Sequence, residues 1–283
     1  MSRHHGLDAA GLGGIRPTME VARLTPAQAR ARFRRGEKVP TAGWCAGWTQ
    51  ANLIAVPEEY AGDLERFARL NPAACPLVDV GEPGAHSTRW FPGDLRTDLP
   101  GYRVYRDGVA QEHAEVTGQW REDLVPFLIG CSFTFEEALL AAGVPVRHLE
   151  LGRNVTMFVT SIVCEPAGRI SGPMVVSMRP IPDHLVPAAI EVSRRFPHAH
   201  GEPVHVGSPE EIAINLDKPD FGDFVEVRPG ETPVFWACGV TPQVAIMVSG
   251  VPYAIAHLPG HMAITDLPAD RPPGEVRQAA RPL

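Results

Sequence analysis

A surplus of positive charge is missing from this chain. Its 283 residues carry 33 acidic and 26 basic side chains, a formal net charge of −7. Such a balance offers no electrostatic footprint for a nucleic-acid backbone. Long apolar runs are absent as well, since Pro, Gly or Ser interrupts each of them well short of the roughly 20 residues that a bilayer span requires. No charged-then-apolar leader with a cleavage site opens the sequence. The five cysteines are odd in number and scattered without paired ligand spacing, so they read as free thiols of a reducing compartment. Neither GxxxxGK[ST] nor a strand-borne GxGxxG occurs, which argues against nucleotide-driven and nicotinamide chemistry. The expectation is a soluble, cytoplasmic protein with no nucleic-acid or membrane partner.

What is present is punctuation. The 29 prolines and 27 glycines mark many tight turns around short elements rather than a low-complexity tract. Thr25-Pro26-Ala27-Gln28 supplies a helix N-cap, a proline in the first turn and a Gln that can close a capping box. Ser208-Pro209-Glu210-Glu211 repeats the pattern, and Thr134 to Glu137 fits it too. Further helices are expected over 57–70 and 183–196. Strands are expected over 102–105, 155–164, 174–178, 225–227, 234–238 and Tyr253–His257, with Asp107-Gly108 as a hairpin turn. The last hundred residues alternate strand and helix, whereas the middle reads as a hairpin, two helices and long β segments. The predicted fold class is therefore α/β with two domains, a single continuous domain being the alternative. A mixed-sheet body (20–93 and 179–270) carries a smaller inserted α+β domain (94–178), with tails at 1–19 and 271–283.

The most chemically dense stretch runs from 235 to 266, FWACGVTPQVAIMVSGVPYAIAHLPGHMAITD. A strand ending at Cys238-Gly239 passes into a helix start at Thr241-Pro242, where Thr241 is the expected N-cap. Unpaired backbone N–H groups at such a turn can hold an anion. The next strand delivers His257, His261 and Asp266 to a second loop.

The segments GWTQANLIAVP (47–57), FPGDLRTDLPGYRVYRDG (91–108), DLVPFLIGCSFTFEEALLAAGVPVRH (123–148), GRNVTMF (152–158), GPMVVSMRPI (172–181) and VFWACGVTPQ (234–243) resemble the family of hydro-lyases related to D-glutamate cyclase. The likeness runs from about residue 40 to residue 266. It implies a two-domain α/β architecture and the conversion of D-glutamate to 5-oxo-D-proline with loss of water, without a required cofactor.

That reaction needs a base to free the amine, a polarised γ-carboxyl, donors for the tetrahedral intermediate and a clamp for the α-carboxylate. Gly239, Val240 and Thr241 are candidates for the clamp, as is Arg179 with its bidentate guanidinium. Arg96 beside Asp98 is another, unless the two pair with each other. His257 and His261 are the candidates for acid–base work, set against plain core hydrogen bonding, and Asp266 is a candidate to orient one of them. Their spacing is not that of a helical zinc motif. Gln50 and Asn52 offer donors to a substrate or tie down a turn, and Ser132 adjoins the second Gly-flanked cysteine. Cys131 and Cys238 each precede a predicted helix start, where a thiolate is stabilised, although each taken singly also reads as a small buried apolar residue. Together they would suit a cofactor-independent racemase or epimerase. A third reading is a small-carboxylate binding protein without catalysis. His198, His200 and His205 leave a divalent ion open, although their spacing specifies none. The expected partner is a small acidic amino acid, and homo-oligomerisation stays open.

Overall fold

The structure, a computed structural model, describes residues 19–275. Most of the expected tails, and His4 and His5 with them, lie outside the described residues. The larger of two sheets is built on β1 (Trp48–Pro57), a ten-residue strand whose residues are almost all buried. β1 pairs along one edge with β5 (Leu124–Gly130), which carries β2 (Leu77–Val80) beyond it. Along its other edge lie β10 (Tyr253–His257) and then the hairpin of β3 (Tyr102–Arg106) and β4 (Val109–His113). β11 (Ala263–Pro268) shares that edge with β10. A smaller sheet has the order β6 (Thr156–Val163), β7 (Pro173–Pro182), β9 (Glu231–Ala237) and β8 (His205–Val206). Every one of these pairings is antiparallel. The α/β class stands, with two antiparallel sheets and helices packed on them.

The strand pairing corrects the expected insert. β3, β4 and β5 all fall within 94–178, yet each belongs to the larger sheet, and β5 lies inside it between β2 and β1. β6 falls within 94–178 and pairs with β7, which runs across the expected boundary and pairs in turn with β9, outside that range. The order of elements along a chain does not state which strands pair, because pairing is non-local. The segment that carries the smaller sheet begins after Gly130 and returns to the larger one at Tyr253.

Local signals fared unevenly. After the single turn α1 (Met19–Ala22), Thr25 caps α2 (Pro26–Arg34) with both reciprocal bonds of the capping box to Gln28. Asp107 and Gly108 both take positive φ and join β3 to β4 as expected. Ser208 caps nothing and starts only a 3-10 turn, Pro209–Ile212. Thr134 sits inside the 3-10 turn Ser132–Phe135, ahead of α4 (Glu136–Ala141), because its hydroxyl is taken by the Gln50 backbone N–H at 3.1 Å. No strand forms at 225–227.

Three cores result. Ile54, Phe127, Ile129 and Ala256 pack on one face of the larger sheet against α3 (Glu58–Leu70) and α7 (Thr241–Val248). Leu53, Leu128, Ile255, Phe91 and Trp90 fill the other face. Trp236 and Phe135 anchor the smaller sheet against α4 and α6 (Val186–Arg194), with Leu149 of the short α5 (Arg147–Leu151) packed on the same cluster. Each fully buried side chain of this size contributes roughly 1.5–3 kcal/mol.

Candidate functional site

The two sheets meet where β5 and β9 end. Cys131 follows β5 and Cys238 follows β9, and both lie in one buried cluster with Ala42, Phe133, Val240 and Met262. Asn52, on β1, fastens this seam: its side-chain amide donates to the Ile129 carbonyl at 3.1 Å and the Gly130 carbonyl at 2.8 Å. Gly239 lies flat against the same amide, and any Cβ built there would fall inside the Asn52 side chain. Gly239→Ala is therefore expected to cost about 1–3 kcal/mol by overpacking. Thermal denaturation should show that loss and its partial recovery when Asn52 is also cut to Ser.

Thr241 does not cap α7. Its hydroxyl accepts the Val175 N–H at 3.0 Å and donates to the Cys238 carbonyl at 2.7 Å, so it pins the turn to β7. Gln50 and Asn52 lie on a central strand rather than an irregular turn. The Gln50 amide donates to the carbonyls of Thr41 and Trp44, which draws the 41–44 loop over the seam. Burial pushes both thiols up, Cys238 to about 11 and Cys131 further still, despite backbone N–H groups of Val240 and Phe133 and the charge of Arg179. At neutral pH both are protonated.

Arg179 is not a free clamp. It lies within β7, fully buried, with Phe135 and Trp236 on its guanidinium faces. Its N–H groups donate to Glu136 at 2.5 Å, Ser132 at 3.0 Å and Ser177 at 3.2 Å. The His148 ring lies beside the same carboxylate, its Nε2 3.0 Å from Glu136 Oε1. The carboxylate that Arg179 binds is thus internal to the fold. Glu136 and His148 escaped the sequence reading, although both stand in the 123–148 segment that carried the family resemblance.

The two site histidines differ in access. His257 is fully buried; its Nδ1 lies 3.1 Å from the Leu53 carbonyl, and Gln243 bridges it to Tyr105. His261 lines an open cleft of about 330 Å3 with Arg103, Asn154, Asp220, Phe221 and Asp223. Its Nδ1 is 3.1 Å from the Pro259 carbonyl. A carbonyl can only accept, so Nδ1 carries the hydrogen and Nε2 carries the lone pair. Burial lowers the His261 pKa, with Lys38 and Arg103 assisting. Its imidazole is therefore neutral and basic at Nε2 at pH 7. Asn154 donates to the Pro259 carbonyl at 3.1 Å and holds the 258–262 loop, which leaves the sheet between β10 and β11. Arg103 and Asn154 are further omissions of the sequence reading. The alternation in Tyr102-Arg103-Val104-Tyr105 was the available signal for Arg103, since it turns that side chain away from the Tyr102 face.

Buried neutral histidines also set an acid limit. Burial pushes His257 down to about 3 and His200 to about 4. In the unfolded chain both titrate near 6.5. Their contribution is therefore fully present above about pH 6.5 and is lost as pH falls toward 4 and 3, because only the unfolded state takes up protons there. The slope is about 1.4 kcal/mol per pH unit for each histidine. Thermal melts between pH 7 and pH 4 should fall more steeply for the wild type than for His200→Asn. An asparagine tolerates the left-handed backbone at this position, φ 80°.

The remaining candidates lie elsewhere. Asp266 orients neither histidine; its carboxylate accepts from Arg30 at 2.8 Å and is part-exposed. Arg96 pairs with Asp94 at 2.8 Å rather than with Asp98, whose buried carboxylate belongs to Arg34. His198, His200 and His205 each spend a ring nitrogen on a backbone carbonyl. Among the described residues no group of three or more His, Cys, Asp or Glu side chains is arranged to hold a metal ion, and no helix is long and apolar enough to cross a membrane.

Comparison with known proteins adds a lineage to this geometry. The family model described as D-glutamate cyclase matches residues 125–266. A protein of Saccharopolyspora erythraea named "Putative hydro-lyase" is 62% identical over 245 residues, covering 86% of this chain and 96% of that protein. Proteins with the same name from Nocardioides sp. and Mycolicibacterium gilvum are each 57% identical, covering 88% of this chain and 93% and 96% of theirs. Among solved structures, a nitrogen repressor-like protein from Methanococcus jannaschii aligns with 81% of this chain and 91% of its own, at 9% identity and a TM-score of 0.37. A likeness that slight carries no argument.

Proposed function

The chain belongs to the D-glutamate cyclase family, and on that premise we propose that it is a hydro-lyase closing D-glutamate, or a closely related acidic amino acid, to 5-oxo-D-proline with loss of water. One observation carries the reading. His261, with its tautomer set by the Pro259 carbonyl, lines the same cleft as the Arg103 guanidinium. In this scheme Arg103 pairs the α-carboxylate and the Asp220 and Asp223 carboxylates receive the ammonium. His261 Nε2 takes a proton from that ammonium, and the freed nitrogen attacks the γ-carboxyl carbon. A C–N bond forms and a C–O bond breaks. Two protons move in total from the nitrogen to the departing oxygen, which leaves as water, so a base that can give back what it takes suffices. The neutral state of His261 suits it to both halves of that transfer.

The test is direct. Purified protein incubated with D-glutamate, without any nucleotide, should yield 5-oxoproline by proton NMR, and L-glutamate should yield far less. No product from either enantiomer, with the protein folded, would overturn the reading.

A second reading has its own observation, the shared cluster of Cys131 and Cys238. Two thiols at one substrate suit a racemase or epimerase. Such a protein would exchange the Cα proton for deuterium and lose that exchange in Cys238→Ser. Burial, which keeps both thiols protonated, weighs against them as proton acceptors.

A further inference from the structure

A second cavity, of about 160 Å3, lies beneath the 43–48 loop and away from the His261 cleft. Its walls are apolar and aromatic: Trp44, Trp48, Phe133, Leu140 and Leu149, with Glu136 reaching it from the fold interior. Glu136 is almost wholly buried, and its two oxygens are unequal. Oε1 accepts Arg179 and meets His148, whereas Oε2 has no hydrogen-bond partner. Burial works to raise the Glu136 pKa, but His148 and Arg179 outweigh it and hold the group as a carboxylate. A second orphan acceptor, Gln50 Oε1, belongs to an amide that bonds Trp44 and whose backbone bonds Thr134, and both of those residues line the cavity.

Buried acceptors without donors are costly to keep, more so when charged. The structure keeps one of them, Glu136, on the wall of this aromatic cavity, and the other, Gln50, behind the Trp44 and Thr134 that line it. Aromatic faces attract cations, and an ammonium group brings three N–H donors and no acceptor. We propose that this cavity is a ligand site, separate from the His261 cleft, for a primary organic ammonium ion with a compact apolar body. The ammonium seats on Glu136, and the body packs between Trp44, Trp48 and Phe133. An acidic amino acid does not fit there, because its carboxylates would meet Glu136, Glu137 and apolar walls.

The probe is benzylammonium chloride, titrated into the purified full-length chain by calorimetry, with tryptophan fluorescence followed in parallel. Saturable binding is expected, with benzyl alcohol binding at least tenfold more weakly because it lacks the charge. Glu136→Gln should weaken binding similarly, but it also breaks the Arg179 pair and can unfold the protein. Leu140→Trp guards against that outcome: Leu140 is about half exposed at the rim, so a larger ring there fills the mouth without disturbing the core. This variant should bind benzylammonium at least tenfold more weakly while melting as the wild type does. Absence of saturable binding, which would mean the orphan acceptors hold water alone, overturns the proposal. So does equal binding of benzyl alcohol, or unchanged affinity in Leu140→Trp.

Discussion

Replacing Arg179 with alanine is expected to destabilise the whole protein by about 3–5 kcal/mol rather than to weaken substrate capture, the usual cost of stranding one partner of a buried ion pair. The guanidinium is fully buried, and it neutralises Glu136 at 2.5 Å. It also lends donors to Ser132 and Ser177 and fills the space between Phe135 and Trp236. Alanine removes the charge, the hydrogen bonds and the packing at once. Urea denaturation should show the loss. The double change Arg179→Met with Glu136→Gln should recover part of it, because no unpaired charge is then left inside. A stable Arg179→Ala protein with a raised KM would instead restore the clamp that the strand pattern suggested.

The second large effect belongs to His261. His261→Ala is expected to lower kcat by about 10²- to 10⁴-fold, the range for loss of a positioned acid–base group, with KM little changed. Arg103→Ala should do the reverse in kind and raise KM several-fold, since a carboxylate partner holds the ground state as well as the transition state. His257 provides the internal contrast. Fully buried, with its ring against the Leu53 carbonyl and Gln243, it does not line the cleft and so does not meet a substrate held there. His257→Asn should therefore cost stability more than turnover. Steady-state kinetics on the three variants, each checked for folding by circular dichroism, separates these roles. Full turnover in His261→Ala would remove the imidazole from the mechanism.

The sequence was legible where a residue acts on its own neighbours. Thr25 and Gln28 bond each other across one turn, and the sequence shows both. It was misleading where the partner is remote. Thr134 spells the same capping box, but Gln50, 84 positions away, takes its hydroxyl. β1 was hard to see because Thr49, Gln50 and Asn52 are polar yet buried, bonded to loops and strands far along the chain. Arg179 looked like a strand-end cation because nothing local revealed Glu136. The expected insert failed for the same reason, since β5 finds β1 across some seventy residues. The neighbourhood of the seam was partly readable. Cys131, Cys238, Gly239, Val240 and Asn52 do gather at one place, while Asp266 and Arg96 do not join them.

The most direct test of the account follows the Cα proton and the product together, by proton NMR of D-glutamate with the wild-type protein in D2O and no nucleotide. The account predicts that 5-oxoproline signals grow while the Cα proton is retained, since proton transfer is confined to nitrogen and the departing oxygen. Loss of the Cα signal without 5-oxoproline, or an unchanged spectrum over a folded protein, would contradict it.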